Sequence, residues 1–286
     1  MKTITYRIGL LLLLSITNSF LFSQYKVIYE MKWKSNKKDS IYKKELCVLV
    51  INTDNTSSFQ SIENFKRDSL QTSIVTEYFK NKKGDLRLPD DRTNAKFSYI
   101  IIKNKSPKNT SIEEKLFTNV YIENCDQKLD WKLLNSNESK IFGYTVNKAT
   151  VKFGNRNWTA FYTTEIPFQD GPYKFEGLPG LILKIIDDSE DYSFEIKGIT
   201  KEMNDLSKRN FSYNTINLSP KKWNLFWKKY KQQPSMIFEN LNTSETTFVI
   251  DGQDVSNKDV KASYDKKEKA RLNYFENPIE LIPVCN

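Results

Sequence analysis

Apolar and polar residues alternate near the start of the chain, where Tyr25, Val27, Tyr29, Met31 and Trp33 are separated by Lys26, Glu30 and Lys32, with Ile28 off the pattern. A period of two puts one apolar face on a β-strand. A polar turn at 36–40 leads into residues 41–51, rich in β-branched and apolar side chains, so the pair predicts an antiparallel hairpin that ends in polar residues 52–58. Ile62, Phe65, Ile74 and Tyr78 then recur at spacings that share one helical face. Ser61 suits the N-cap, with Asn64 a weaker partner than the usual Glu. Strands follow at 97–103, 116–123 and 131–135, each bounded by Asn, Ser or Pro clusters.

Residues 141–153 and 158–166 predict two more strands joined at 154–157, where Gly154 and Asn155 tolerate the positive φ of a tight hairpin. Pro167 stops the second strand by removing a ladder donor. The loop that follows holds Phe168, Tyr173 and Phe175 between glycines and prolines, and 178–181 reads as a type II turn with Pro179 and Gly180 at its centre. Strand 181–186, the acidic turn 187–191 and strand 192–197 make another hairpin. Ser219 and Pro220 start a helix carrying Trp223, Phe226, Trp227 and Tyr230 on one face and Lys221, Lys222, Lys228, Lys229 and Lys231 on the other. That aromatic stripe suits packing on a sheet, and an anionic membrane surface is the alternative. A more exposed helix is predicted over 256–271.

The first residues change the picture. Lys2 and Arg7 precede an apolar run from 8 to 14 that continues less strictly to Phe22, the n-region and h-region of a signal peptide, with cleavage expected after Ser23. This leaves one β-rich domain over 24–286, undivided by any Pro/Gly/Ser-rich linker or repeat. No later stretch is long and apolar enough to span a bilayer, so no membrane span is expected after cleavage, and the periplasm or the extracellular space is the expected destination. The net charge of +9 sets 44 basic against 35 acidic residues, interspersed rather than striped, and export makes nucleic acid an unsuitable partner. Three cysteines, Cys47, Cys125 and Cys285, allow at most one bridge, and Cys47 sits in an apolar run that predicts a buried thiol. With no histidine in the chain, imidazole-based catalysis and the usual zinc sites are excluded.

Gly177-Leu178-Pro179-Gly180-Leu181-Ile182 spells GLPGLI, and its surroundings resemble the family of exported bacterial proteins named for that motif. Ile141-Phe142-Gly143-Tyr144, Lys148-Ala149-Thr150, Arg156 with Trp158, Phe161-Tyr162-Thr163 with Glu165-Ile166-Pro167, and Gly171-Pro172-Tyr173-Lys174-Phe175 carry the likeness. It extends over 25–183, with a looser echo at 277–281. Val146 stands where the family often has cysteine, and Phe161 where tryptophan is usual. The resemblance implies an exported protein of a family without an established activity. The strand-rich pattern also looks like the lipoprotein-carrier type of fold, a half-barrel. By that analogy the protein is mainly β, a large curved antiparallel sheet with a few helices packed on one side.

These readings give an expected function of binding, with an apolar ligand or an envelope protein held by the concave sheet and the 168–180 loop. Tyr162, Glu165, Tyr173, Phe175 and Leu178 are the candidate contacts, and the loop's rings are expected to be partly exposed. Gly171, Pro172, Gly177, Pro179, Gly180, Leu181 and Ile182 are assigned to the fold. The rival reading is a carboxylate hydrolase or isomerase using Glu165 and Asp170, although no activated nucleophile accompanies them. The 187–191 turn lacks the Gly and Glu that a calcium loop needs where Tyr192 and Gly198 stand, so no metal and no cofactor are expected.

Overall fold

A computed structural model describes residues 24–81, 93–117, 119–125, 128–202, 214–239, 248–250 and 253–285. The predicted signal peptide, 1–23, lies outside the described residues.

In chain order the strands are β1 (Gln24–Trp33), β2 (Lys43–Ile51), β3 (Thr56–Ser61), β4 (Ile100–Lys105), β5 (Lys108–Leu116), β6 (Asn119–Cys125), β7 (Lys132–Ile141), β8 (Tyr144–Phe153), β9 (Arg156–Thr163), β10 (Leu181–Asp187), β11 (Tyr192–Glu202) and β12 (Asn214–Leu218). They form one twelve-stranded sheet in the order β12-β6-β5-β4-β3-β2-β1-β11-β10-β9-β8-β7. All neighbours are antiparallel except β12, which lies parallel to β6 at one edge. A separate two-stranded ribbon joins β13 (Phe248–Ile250) to β14 (Gln253–Val255). The helices are α1 (Ile62–Asn81), α2 (Pro220–Gln232) and α3 (Asn257–Leu272).

The β-rich class follows the sequence, and the differences are local. Residues 56–58, read as part of the polar end of the hairpin, and Ser61, read as a helix cap, belong to β3, where Ser57, Phe59 and Ser61 turn inward and the strand pairs with β2 and β4. The strand predicted over 116–123 corresponds to β6, which begins at Asn119 after a turn at Phe117 with φ 55°, and β5 before it was not predicted. The strand predicted from 141 begins only at Tyr144, after a tight turn at Phe142 and Gly143 with φ 52° and 86°. The predicted 154–157 hairpin is a two-residue turn, Gly154 and Asn155, with φ 58° and 59°, as a type I′ connection needs.

The sheet is strongly curved. In the strand order β4 is fourth and β8 eleventh, and 11 − 4 = 7 steps of ~4.8 Å separate them by roughly 34 Å if flat. Yet the Tyr173 ring lies 6.3 Å from Phe97, just before β4, and 6.2 Å from Phe153 at the end of β8. Glu176 spans further still: Trp131 Nε1, leading into β7, donates to its carbonyl at 2.9 Å, and Lys108 of β5 meets its carboxylate at 3.3 Å. The 168–180 loop is therefore the filling around which the half-barrel curls. β7 and β12 stay unpaired with each other, so the barrel is open.

The three helices meet the segment before β4. Asn64 of α1 donates to the Phe97 carbonyl, Trp227 of α2 lies edge-on to Tyr99 at 5.8 Å, and Arg271 of α3 bonds Ser98. The aromatic stripe of α2 packs inward, with Phe226 stacked on Tyr121 of β6 at 4.4 Å.

The turn in the GLPGLI segment differs from type II. Leu181 N–H donates to Ile166 O at 3.1 Å rather than closing on Leu178, and Gly180 N–H donates to Leu178 O at 2.7 Å. Gly180 has φ 150°, and a Cβ there would stand 1.9 Å from the Thr163 carbonyl oxygen. The motif glycine is needed because backbone approaches backbone. Gly180→Val is expected to lower stability by well over about 1 kcal/mol in a denaturant titration, with an unchanged midpoint contradicting the close approach.

Candidate functional site

Three interactions hold the loop in the half-barrel. Asp170, wholly buried, pairs with the ammonium of Lys103 on β4, which also donates to Gly171 O at 2.7 Å. Burial pushes the Asp170 carboxyl up, but Lys103 and Lys105 outweigh it and hold the pKa below the ordinary value. Tyr173 adopts φ 53°, an unusual conformation for a bulky residue, and its hydroxyl donates to Glu280 at 2.5 Å. Phe175 lies 4.8 Å from Trp158 and 5.1 Å from Phe153.

Glu280 belongs to the closing segment, whose sequence echo of the family has a structural basis. Arg156 bonds Asp187 at 2.8 Å, Asp191 at 3.1 Å, Asn277 at 2.5 Å and the Pro278 carbonyl at 2.9 Å. The acidic turn at 187–191 thus holds a guanidinium. Leu281 N–H donates to Gly154 O at 2.8 Å, and Cys285 is bridged to Cys125 of β6. Cys47 is the buried free thiol predicted.

Beneath this strap lies a cavity of about 210 Å³ on the concave face. Its apolar wall includes Ile101, Ile112, Tyr99, Trp223 and Trp227, and Tyr173 and Lys174 enter from the loop. Glu123 on β6 also lines it. The side chain is 3% exposed, on the inward face between Tyr121 and Cys125, and among the described residues no group hydrogen-bonds its carboxylate. Burial pushes its pKa up to about 7, opposed by Lys174 and reinforced by Glu280. Lys174 itself is ion-paired to Glu280 at 2.6 Å.

The comparisons with known proteins add little to this geometry. Residues 152–184, from the end of β8 to β10, match the model of a family described as "Protein of unknown function (Porph_ging)". No curated protein matches the chain. Among solved structures, two crystal forms of PNGF-II are similar: P21 at 18% identity and C2 at 17%, each with a TM-score of 0.48 and 72% of this chain covered. The chain spans 33% of the length of those chains.

The sequence-predicted site residues are dispersed. Tyr173 lines the cavity, whereas Phe175 and Leu178 are core, at 0% and 1% exposure. The expected partial exposure of the loop's rings is corrected: Gly and Pro here let the loop run inward, since its polar ends find Lys103, Trp131 and Lys108. Tyr162 is buried, facing the core from β9. Glu165 is exposed and accepts from Thr145 N–H at 2.8 Å, sharing no hydrogen-bond partner with buried Asp170. Glu123, Lys174 and Glu280 were missed. The signal for Glu123 was a carboxylate in phase with Tyr121 and Cys125 on one strand face, cut off because the predicted strand ended at Glu123.

Phe175→Ala is expected to cost about 3–5 kcal/mol by denaturant titration, and a loss below about 0.5 would contradict its core position. Glu123 provides a pH test. Its folded pKa near 7 exceeds the ordinary 4.5, so the folded state keeps a proton the unfolded chain has released, and stability falls as pH rises through that window. Glu123→Gln should therefore match the parent near about pH 4 and be more stable near about pH 8, and equal stability at both would refute the shift.

Proposed function

We propose that this protein is an exported, GLPGLI-type binding module that holds a small, largely apolar ligand in the concave-face cavity beneath its C-terminal strap. The observation that carries the reading is the cavity itself, walled by aromatic and aliphatic side chains and entered by a few polar groups. Export is supported by the signal-like start and by the Cys125–Cys285 disulfide, which persists in oxidising compartments. Membership of the GLPGLI family is supported by the match over 152–184, which contains the motif. The alternative of a protein partner drew on exposed loop rings, and their burial narrows the reading to a ligand inside the sheet.

Size limits the ligand. A dry cavity of ~150 Å³ accepts benzene, so about 210 Å³ accommodates one aromatic ring with a short substituent, or the end of an apolar chain. Titration with ethylbenzene should give saturable one-to-one binding, seen as a change in Trp223 and Trp227 fluorescence and a raised melting temperature. Ile112→Phe, which fills the cavity, should abolish it while far-UV dichroism stays native. Absence of saturable binding, or binding that persists in the filled variant, would overturn the assignment.

A further inference from the structure

The geometry points to a ligand that is a cationic amine on a single aromatic ring or comparably short apolar body, its ammonium held by Glu123 and its body by the aromatic wall. This rests on the cavity being the binding site and specifies what it takes.

The charges lining the cavity do not balance. Glu123 lines a largely apolar cavity, and a carboxylate held there without hydrogen-bond donors is stabilised by a cation placed beside it. Around Glu123, the inward cations are already engaged. From the loop, Lys174 is paired to Glu280 at 2.6 Å. From the closing segment, Glu280 also accepts from Tyr173 at 2.5 Å and from Val284 N–H at 3.3 Å. From α3, Arg271 is bonded to Glu268 and lies 3.3 Å from Glu114. From α2, Lys231 is exposed at the rim. Lys174 is shared between Glu280 and Glu123, and Arg271 between Glu268 and Glu114, so each cation faces two carboxylates, and Glu123 is the cavity-lining one that no described group hydrogen-bonds.

The walls favour the same kind of partner. Tyr99, Tyr173, Trp223 and Trp227 surround the space, and aromatic faces attract a desolvated ammonium. A carboxylate or phosphate ligand would instead meet Glu123 head-on, with Lys174 and Arg271 already ion-paired and Lys231 out at the exposed rim. A neutral apolar ligand would fill the volume and leave the carboxylate unsatisfied.

Three probes of one shape separate these cases: 2-phenylethylamine, 2-phenylethanol and 3-phenylpropionate, titrated by calorimetry against the full mature chain. The amine should bind at least about tenfold more tightly than the alcohol, as a charge-assisted hydrogen bond in a dry site predicts, and the acid most weakly. Glu123→Gln should erase the amine's advantage while changing alcohol affinity by less than about threefold, since the cavity volume is conserved. A measurement on the unaltered protein guards against a misfolded variant: the amine-to-alcohol preference should grow between about pH 5 and 8 as Glu123 ionises, because the amine stays protonated throughout. Equal affinities, a preference for the acid, or a flat pH profile would overturn the cation assignment and leave the cavity reading intact. Failure of all three probes to bind natively folded protein would overturn both.

Discussion

A sheet of twelve strands has more apolar concave surface than its own curvature can cover, and in this protein a peptide loop supplies the missing filling. The loop between β9 and β10 enters the half-barrel. There, backbone polar groups would be costly without partners. Lys103 reaches Asp170 and the Gly171 carbonyl, and Trp131 takes the Glu176 carbonyl. Breaking a buried pair such as Lys103–Asp170 leaves an uncompensated charge, so the pair specifies where the loop sits even if its net contribution to stability is small.

The strap depends on the loop in turn. Tyr173 and Lys174 both engage Glu280, and Arg156 gathers the acidic turn and Asn277 from below. The disulfide to β6 anchors the far end of the segment, so residues 277–285 bridge both halves of the sheet. The cavity is the volume left where loop, strap and α2 fail to meet. Function, on this reading, occupies the imperfect seam between three separately specified pieces.

Much of the sheet was legible in the pattern of residues, because alternation over β1, β9 and β11 and the hydrophobic run of β2 and β10 reflect local periodicity alone. The turns at Gly154–Asn155 and before α2 were equally local, set by φ preferences and by proline. Strand β3 was not legible, since Thr56, Ser57 and Ser58 carry no hydrophobic signal and are strand only because β2 and β4 lie on either side. Tyr173 and Phe175 looked exposed for a related reason. Gly and Pro mark irregular backbone, and irregular backbone usually runs over a surface, but here distant side chains satisfy its polar groups inside.

The sequence by itself determined the β-rich class, the buried thiol Cys47 and the aromatic face of α2, whereas the reason Gly180 must be glycine, the Thr163 carbonyl packed against it, was set by the tertiary structure. The first three depend on periodicity and side-chain type within a few residues. Which cysteines pair, that Asp170 faces Lys103, that the closing segment lies over the loop, and that Glu123 lines the cavity beside Lys174 and Glu280 were decided by the tertiary structure. Each joins residues separated by long stretches of chain, 160 positions for the disulfide and 67 for the ion pair. Local preferences carry no information about such distances, and only the curvature of the open sheet brings the partners together.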